Sequence, residues 1–117
     1  MTVTAAQTAA TLRRRAEERD AAARARAGRL IAKLSSAKRI LCQTYGARSV
    51  VLFGSMAQGA PHLGSDVDLA VLGLPPAAYF SALADLMAAL GCTVDLVRLE
   101  EAPASLAERI AIEGRPL

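Results

Sequence analysis

The sequence predicts an α/β (α+β) domain, a short sheet of about three strands flanked by helices, preceded by an N-terminal helical arm. Three observations predict it. Two apolar, β-branched runs, Ser49–Phe53 and Asp66–Leu72, are separated by a Gly-containing loop; a third run, Thr93–Val97, follows a segment with helical spacing; and the first thirty residues are Ala, Arg and Glu with no large-apolar face. At 117 residues there is room for one ordinary domain and an extension outside its core, and a separate substrate-binding domain does not fit. Abundant Ala, Leu and Val argue for a packed chain rather than a disordered one.

The arm, residues 1–29, contains TAAQTAATLRRRAEERDAAARARA, which has strong helix formers throughout but offers no stripe to bury. From Leu30 a stripe appears at Leu30, Leu34, Ala37, Leu41 and Tyr45, widened by Ile31 and Ile40, and Gly46 ends that helix. The domain proper is therefore expected over 30–117. Ser49–Phe53 is a buried strand stopping at Gly54-Ser55, and residues 54–65 are mostly loop. In Asp66-Val-Asp-Leu-Ala-Val-Leu72 the alternation sends Val67, Leu69 and Val71 to one face and Asp66, Asp68 and Ala70 to the other. After Pro75-Pro76, a helix marked by Phe80, Leu83, Met87 and Leu90 ends at Gly91. The next strand places Asp95 with Thr93 and Val97, opposite Val94 and Leu96. Pro103 opens a last helix carrying Leu106, Ile110 and Ile112.

Charge is uneven along the chain. The net charge is +3, yet residues 1–45 hold ten Lys and Arg against three acids, and residues 46–117 hold four against eight. The arm's Arg residues, mixed with Glu and Ala and free of aromatics, read as a solvated helix first, with a partner contact or a nucleic-acid contact as lesser readings. No apolar run approaches the roughly 18 residues of a membrane span, and the N-terminus lacks a secretory signal pattern, so the cytoplasm is the expected location. Cys42 and Cys92, far apart and without a His set, are expected to be reduced, buried thiols.

Asp66, Asp68 and Asp95 carry the chemistry. Adjacent strands would bring them together, and three clustered carboxylates repel one another unless divalent cations neutralise them. Oxygen-only ligands favour Mg²⁺ or Mn²⁺ over zinc. Magnesium usually binds one or two carboxylates together with substrate phosphates, which points to a nucleoside triphosphate. Gly54-Ser55, just after a strand, could turn backbone N–H groups and a hydroxyl toward phosphate oxygens, although a plain strand-to-helix turn or helix cap would look the same. Asp66-x-Asp68 could equally mark a strand start at a sheet edge.

The combination is more specific than its parts. GSMAQGAPHLGSDVDLAVL, a Gly-Ser separated by ten residues from Asp-x-Asp, resembles the signature of the minimal nucleotidyltransferases of the DNA polymerase beta-like superfamily. Asp95 in VDLV matches the third carboxylate, and the tail LAERIAIEGRPL is family-like. The resemblance spans about residues 30–117 and implies a small nucleotidyltransferase fold with a mixed sheet. It also implies transfer of a nucleoside monophosphate, AMP above all, from a nucleoside triphosphate such as ATP to an acceptor hydroxyl. Asp66, Asp68 and Asp95 would then hold two Mg²⁺ ions, with Mn²⁺ as a substitute, and Asp95 would help activate the acceptor. Gly54, Ser55, Gln58 and Ser65 would meet the nucleotide.

One departure stands out: Gln58 occupies a position where many members have a basic residue, which puts nucleotide affinity in question. His62, in the same loop, reads as solvated before it reads as a nucleotide contact. Small members are commonly antitoxins paired with a HEPN ribonuclease toxin, so the resemblance implies a hetero-oligomer and a Tyr of that toxin as acceptor. Two readings compete with this. One is a binding module that neutralises its partner by occlusion without catalysis; the other is a free-standing transferase for a small hydroxylated molecule such as an aminoglycoside.

Overall fold

The computed structural model describes residues 2–58 and 66–117. The chain divides into two compact units, Met1–Ile31 and Ala32–Leu117. Helix α1 runs Ala5–Arg39. Its N-terminus is closed by a reciprocal cap: the Gln7 backbone N–H donates to Thr4 Oγ1 at 3.1 Å, and the Thr4 N–H donates to Gln7 Oε1 at 2.9 Å. In the first unit Val3, Leu12 and Ile31 are all exposed, as expected of a helix without an apolar face. The same exposure corrects the expectation that Ile31 widens the buried stripe. The one ion pair along it, Arg14 with Glu18 at 4.0 Å, joins two largely exposed side chains and adds little.

The second unit is built on a mixed sheet of order β3-β2-β1-β4. Strand β1 is Ser49–Phe53, β2 Val67–Leu72, β3 Val94–Arg98 and β4 Arg115–Pro116. β1 runs antiparallel to β2 and β4, whereas β2 and β3 are parallel. A parallel pair needs a crossover, and helix α3, Tyr79–Leu90, supplies it. Helix α2 is the short turn Gly54–Ala57, and α4 is Ala104–Glu113. The fourth strand exceeds the three expected; two residues ending in Pro carry no alternation to detect, and they pair only because the Leu117 N–H also reaches Val50 O at 2.9 Å.

One sheet face, Val50, Leu52, Val67, Leu69, Val71, Val94 and Leu96, is buried. It is covered by Ala82, Leu86 and Leu90 of α3 and by Leu34, Ala37 and Leu41 near the end of α1, where a π-type turn over Ile40–Thr44 leads out of the helix. Leu69 is fully inaccessible, and burying a Leu of this kind stabilises by about 1.5–3 kcal/mol. Three polar contacts fasten α3: the Tyr79 hydroxyl donates to the Leu96 carbonyl at 2.6 Å at its start, the Tyr45 hydroxyl donates to Asp85 at its middle, and Lys33 Nζ donates to the Leu90 carbonyl at 3.2 Å at its end. Gly91 then ends the helix in the left-handed region, φ 68°. The opposite face carries Phe53 and Ala70, packed with Ile110 of α4 and flanked by Val51, Val97, Leu99 and Leu106.

Three expectations about faces and boundaries are corrected. In α3 the buried stripe is Ala82, Leu86 and Leu90, not Phe80 and Met87, which are 80% and 41% exposed. Small Ala82 lets the helix sit close on the sheet, and the Phe80 ring instead meets Tyr79 edge-on at 5.2 Å. Ile112 is 76% exposed, two residues past Ile110 and so on the opposite side of α4. Asp66 precedes β2 rather than opening it. Among the described residues no helix is long and apolar enough to cross a membrane.

Gly114 closes the α4–β4 corner. A Cβ there would overlap the Ile110 carbonyl and the Val51 side chain. Gly114→Ala is therefore expected to lift β4 off β1 and to destabilise the protein by about 1–3 kcal/mol, read from the midpoint of urea unfolding; an unchanged midpoint would show that this corner gives way freely.

Candidate functional site

Register places the acids. β2 pairs with β3 so that Asp68 lies opposite Asp95, and β1 pairs with β2 so that Phe53 lies opposite Asp68. At this level the sheet therefore presents Phe53, Asp68 and Asp95 side by side on the face that α4 covers further along. The entry to β2 is fixed by the Val67 N–H donating to Thr93 O at 3.1 Å. Asp66 sits one residue before the strand, exposed at the same edge, and Asp95 is also exposed, while Asp68 is half-buried.

Gly54 follows Phe53 directly. Its φ of 73° lies in the left-handed region, and a Cβ built on it would strike the Asp68 carboxylate at Oδ2 and Cγ. Glycine is therefore required twice, by backbone conformation and by the closeness of the turn to the acid. Ser55 is half-buried at this turn, and Met56 and Ala57 anchor it by their burial.

The electrostatics follow from this crowding. Burial pushes the Asp68 carboxyl above the usual carboxylate range, the charges of Asp95 and then Asp66 push it further, and the Arg109 guanidinium pulls it back. The three predicted carboxylates thus share one field. Among the described residues, no three His, Cys, Asp or Glu side chains gather into a ready-made metal cage. Even so, the donor chemistry suits a hard divalent cation: oxygen ligands only, one of them half-buried beside two more negative charges, at an open edge where phosphate oxygens could complete the shell.

Two residues escaped the sequence reading, and both belong to α4. Arg109 acts on Asp68, and Glu113 accepts a hydrogen bond from Gln58 Nε2 at 3.1 Å. Motif spacing held no signal for either, because it links β1 to β2 and does not say where the last helix docks. Gln58, expected near the nucleotide, is thus engaged by a carboxylate. Ser65 and His62 lie outside the described residues. Cys42 and Cys92 are free and only partly buried, and burial pushes the Cys92 thiol up.

Comparison with known proteins agrees with this geometry. The profile of the family described as Polymerase beta, Nucleotidyltransferase matches residues 36–117. The protein adenylyltransferase MntA of Shewanella oneidensis is 38% identical over 71 residues, which cover 58% of this chain and 51% of that protein. The chain thus spans about half the length of that curated relative. Among solved structures, a toxin–antitoxin complex with AMP-PNP is similar at 31% identity and a TM-score of 0.62, over 69% of each chain. A protein provisionally named a minimal nucleotidyltransferase is similar at 33% identity and a TM-score of 0.60, over 77% of this chain and 90% of its own. A tri-AMPylated Shewanella oneidensis HEPN toxin in complex with MNT antitoxin is similar at 26% identity and a TM-score of 0.50, over 80% of this chain and 69% of that one. Since the profile runs through all four strands and both helices that frame the acidic edge, the chain belongs to the polymerase beta nucleotidyltransferase family.

Proposed function

We propose that this chain is a Mg²⁺-dependent nucleotidyltransferase that moves AMP from ATP to a Tyr hydroxyl of a HEPN-type toxin, acting as that toxin's antitoxin in a cytoplasmic hetero-oligomer. The observation that carries the reading is the register of Asp68 against Asp95 beside the Gly54 turn. A toxin–antitoxin complex with AMP-PNP and an AMPylated HEPN toxin held by an MNT antitoxin supply the nucleotide and the partner by similarity.

The residues divide the work. Asp66 and Asp68 would hold two cations, with Asp95 completing the set from the neighbouring strand. Bound there, Mg²⁺, or Mn²⁺ in its place, neutralises phosphate charge and favours departure of pyrophosphate. Gly54 lets the backbone approach the β and γ phosphates closely, with Ser55, Gln58 and Ser65 as further contacts. The acceptor oxygen attacks the α-phosphorus, the bond from that phosphorus to the bridging oxygen breaks, and pyrophosphate leaves with the electron pair. Exposed Asp95 takes the proton of the acceptor hydroxyl.

A second reading keeps the partner but drops the chemistry. It is favoured by Gln58, which brings no positive charge to the nucleotide and is bonded to Glu113. One experiment separates the two. The partner toxin, incubated with the chain, ATP and Mg²⁺, is expected to gain the mass of one or more AMP groups, and Asp66→Ala/Asp68→Ala is expected to abolish that gain. An unmodified toxin in a tight complex, with each of the four nucleoside triphosphates, would establish occlusion instead.

The site's electrostatics give a second expected outcome. Because the folded-state pKa of Asp68 is raised, the native state binds more protons than the unfolded chain between the ordinary and the raised values, and stability falls as pH rises through that window. Asp68→Asn removes the penalty. Without divalent cations its Tm is expected to exceed that of the wild type at pH 7–8, the gap closing as pH drops into the ordinary carboxylate range. Mg²⁺ with nucleotide is expected to raise the Tm of the wild type and not that of Asp68→Asn; a variant melting below the wild type at every pH would count against the charge argument.

A further inference from the structure

The missing charge at position 58 has a structural counterpart on α4. That helix is seated by Ile110, which packs on Phe53 and Ala70, and by Gly114, where a Cβ would overlap the Ile110 carbonyl and Val51. Phe53 lies opposite Asp68 in the sheet and directly precedes Gly54, so Ile110 seats this part of α4 beside the acidic end of β2. Arg109 directly precedes Ile110, and its charge acts on the Asp68 carboxyl. One turn further along the helix, Glu113 accepts the Gln58 side chain at 3.1 Å, which ties the end of the α2 turn to the same stretch of α4.

The other cations of residues 46–117 are placed differently. Arg98 donates to the Leu74 carbonyl at 2.8 Å and pairs with Glu101. Arg48 lies against Gly73 at the far end of β2, and Arg115 belongs to β4, paired with Leu52. Arg109 is exposed, and among the described residues it enters no ion pair. Its guanidinium carries five donors in a fork geometry that suits phosphate oxygens.

We propose that Arg109 is the triphosphate-binding cation of this site, supplying from α4 the positive charge that Gln58 does not supply from the turn. The inference rests on the nucleotidyltransferase reading and adds to it the residue that meets the β and γ phosphates. Its position also accounts for the pull that Arg109 exerts on the Asp68 carboxyl. The Gln58–Glu113 bond then has a definite part: it keeps Glu113, one helical turn from Arg109, turned toward the amide and away from the phosphates.

The test is calorimetric titration of the full chain with a non-hydrolysable ATP analogue and Mg²⁺, for wild type, Arg109→Ala and Arg109→Lys, with unliganded Tm as the check on folding. Arg109→Ala is expected to weaken Kd about ten- to a hundredfold, as for loss of a charged hydrogen-bond donor. Arg109→Lys is expected to retain most of the affinity, and Gln58→Arg placed on Arg109→Ala is expected to restore part of it. Where the Ala variant melts low, Arg109→Gln, which keeps the length and loses the charge, carries the same expectation. A folded Arg109→Ala or Arg109→Gln that binds within about twofold of wild type would overturn the proposal and leave the nucleotidyltransferase reading standing. A wild type that binds no nucleotide would overturn both.

Discussion

The parallel pairing of β2 with β3 is the contact on which the rest of this domain depends, because it holds two carboxylates in register where sheet chemistry would ordinarily place apolar or opposite-charge partners. Like charges directly opposite each other destabilise a strand pair, and Asp68 is also half-buried. What offsets them lies on the other face of the same two strands. Val67 with Val94 and Leu69 with Leu96 form buried pairs in the same register, and slipping either strand by one residue would turn these apolar side chains toward the acids' face. The hydrophobic face thus fixes the register, and the register fixes the acids.

The second constraint is the way α4 returns to the sheet. Its apolar side covers Ala70 and Phe53 but stops short of Asp68, so one sheet face is dry at its centre and open at its end. Gly54 and Gly114 stand on either side of this division. The first lets the backbone press on an acid; the second lets a helix end press on β1. Both are places where a methyl group would force the chain apart, and both lie within the stretch that matches the family profile.

How far this was legible in the sequence depends on whether the signal was periodic or spatial. The alternation of Val67, Leu69 and Val71 against Asp68 and Ala70 identified strand and face together, because both sides of the pattern carry information. The short run Thr93–Val97 placed Asp95 on its correct face for the same reason. In α3 the larger residues Phe80 and Met87 outweighed Ala82 in the periodicity, yet tertiary packing chose the stripe of Ala82, Leu86 and Leu90. Strand β4 was too short to have a pattern. Arg109 and Glu113 were hidden for a further reason: their importance lies in what a separate element brings beside them, and a helix face read alone shows them as two ordinary charged positions.

Asp68 is the residue at which local consistency fails, and the failure is informative. The other positions of β2 are apolar and all but Leu72 are buried, and a Leu or Val at position 68 would remove the repulsion from Asp95 and Asp66. A carboxylate held there raises the free energy of the unliganded fold. Any cation that relieves the repulsion regains that energy on binding, in addition to its own coordination. Binding to the folded state alone also shifts the folding equilibrium by RT ln(1 + [L]/Kd), so stability and ligand occupancy are two readings of one interaction. Helix α4 enters the same balance from the opposite side. The Arg109 guanidinium offsets part of the charge that Asp95 and Asp66 press on Asp68, and on the proposal made above it would give incoming phosphates a positive partner beside the acids.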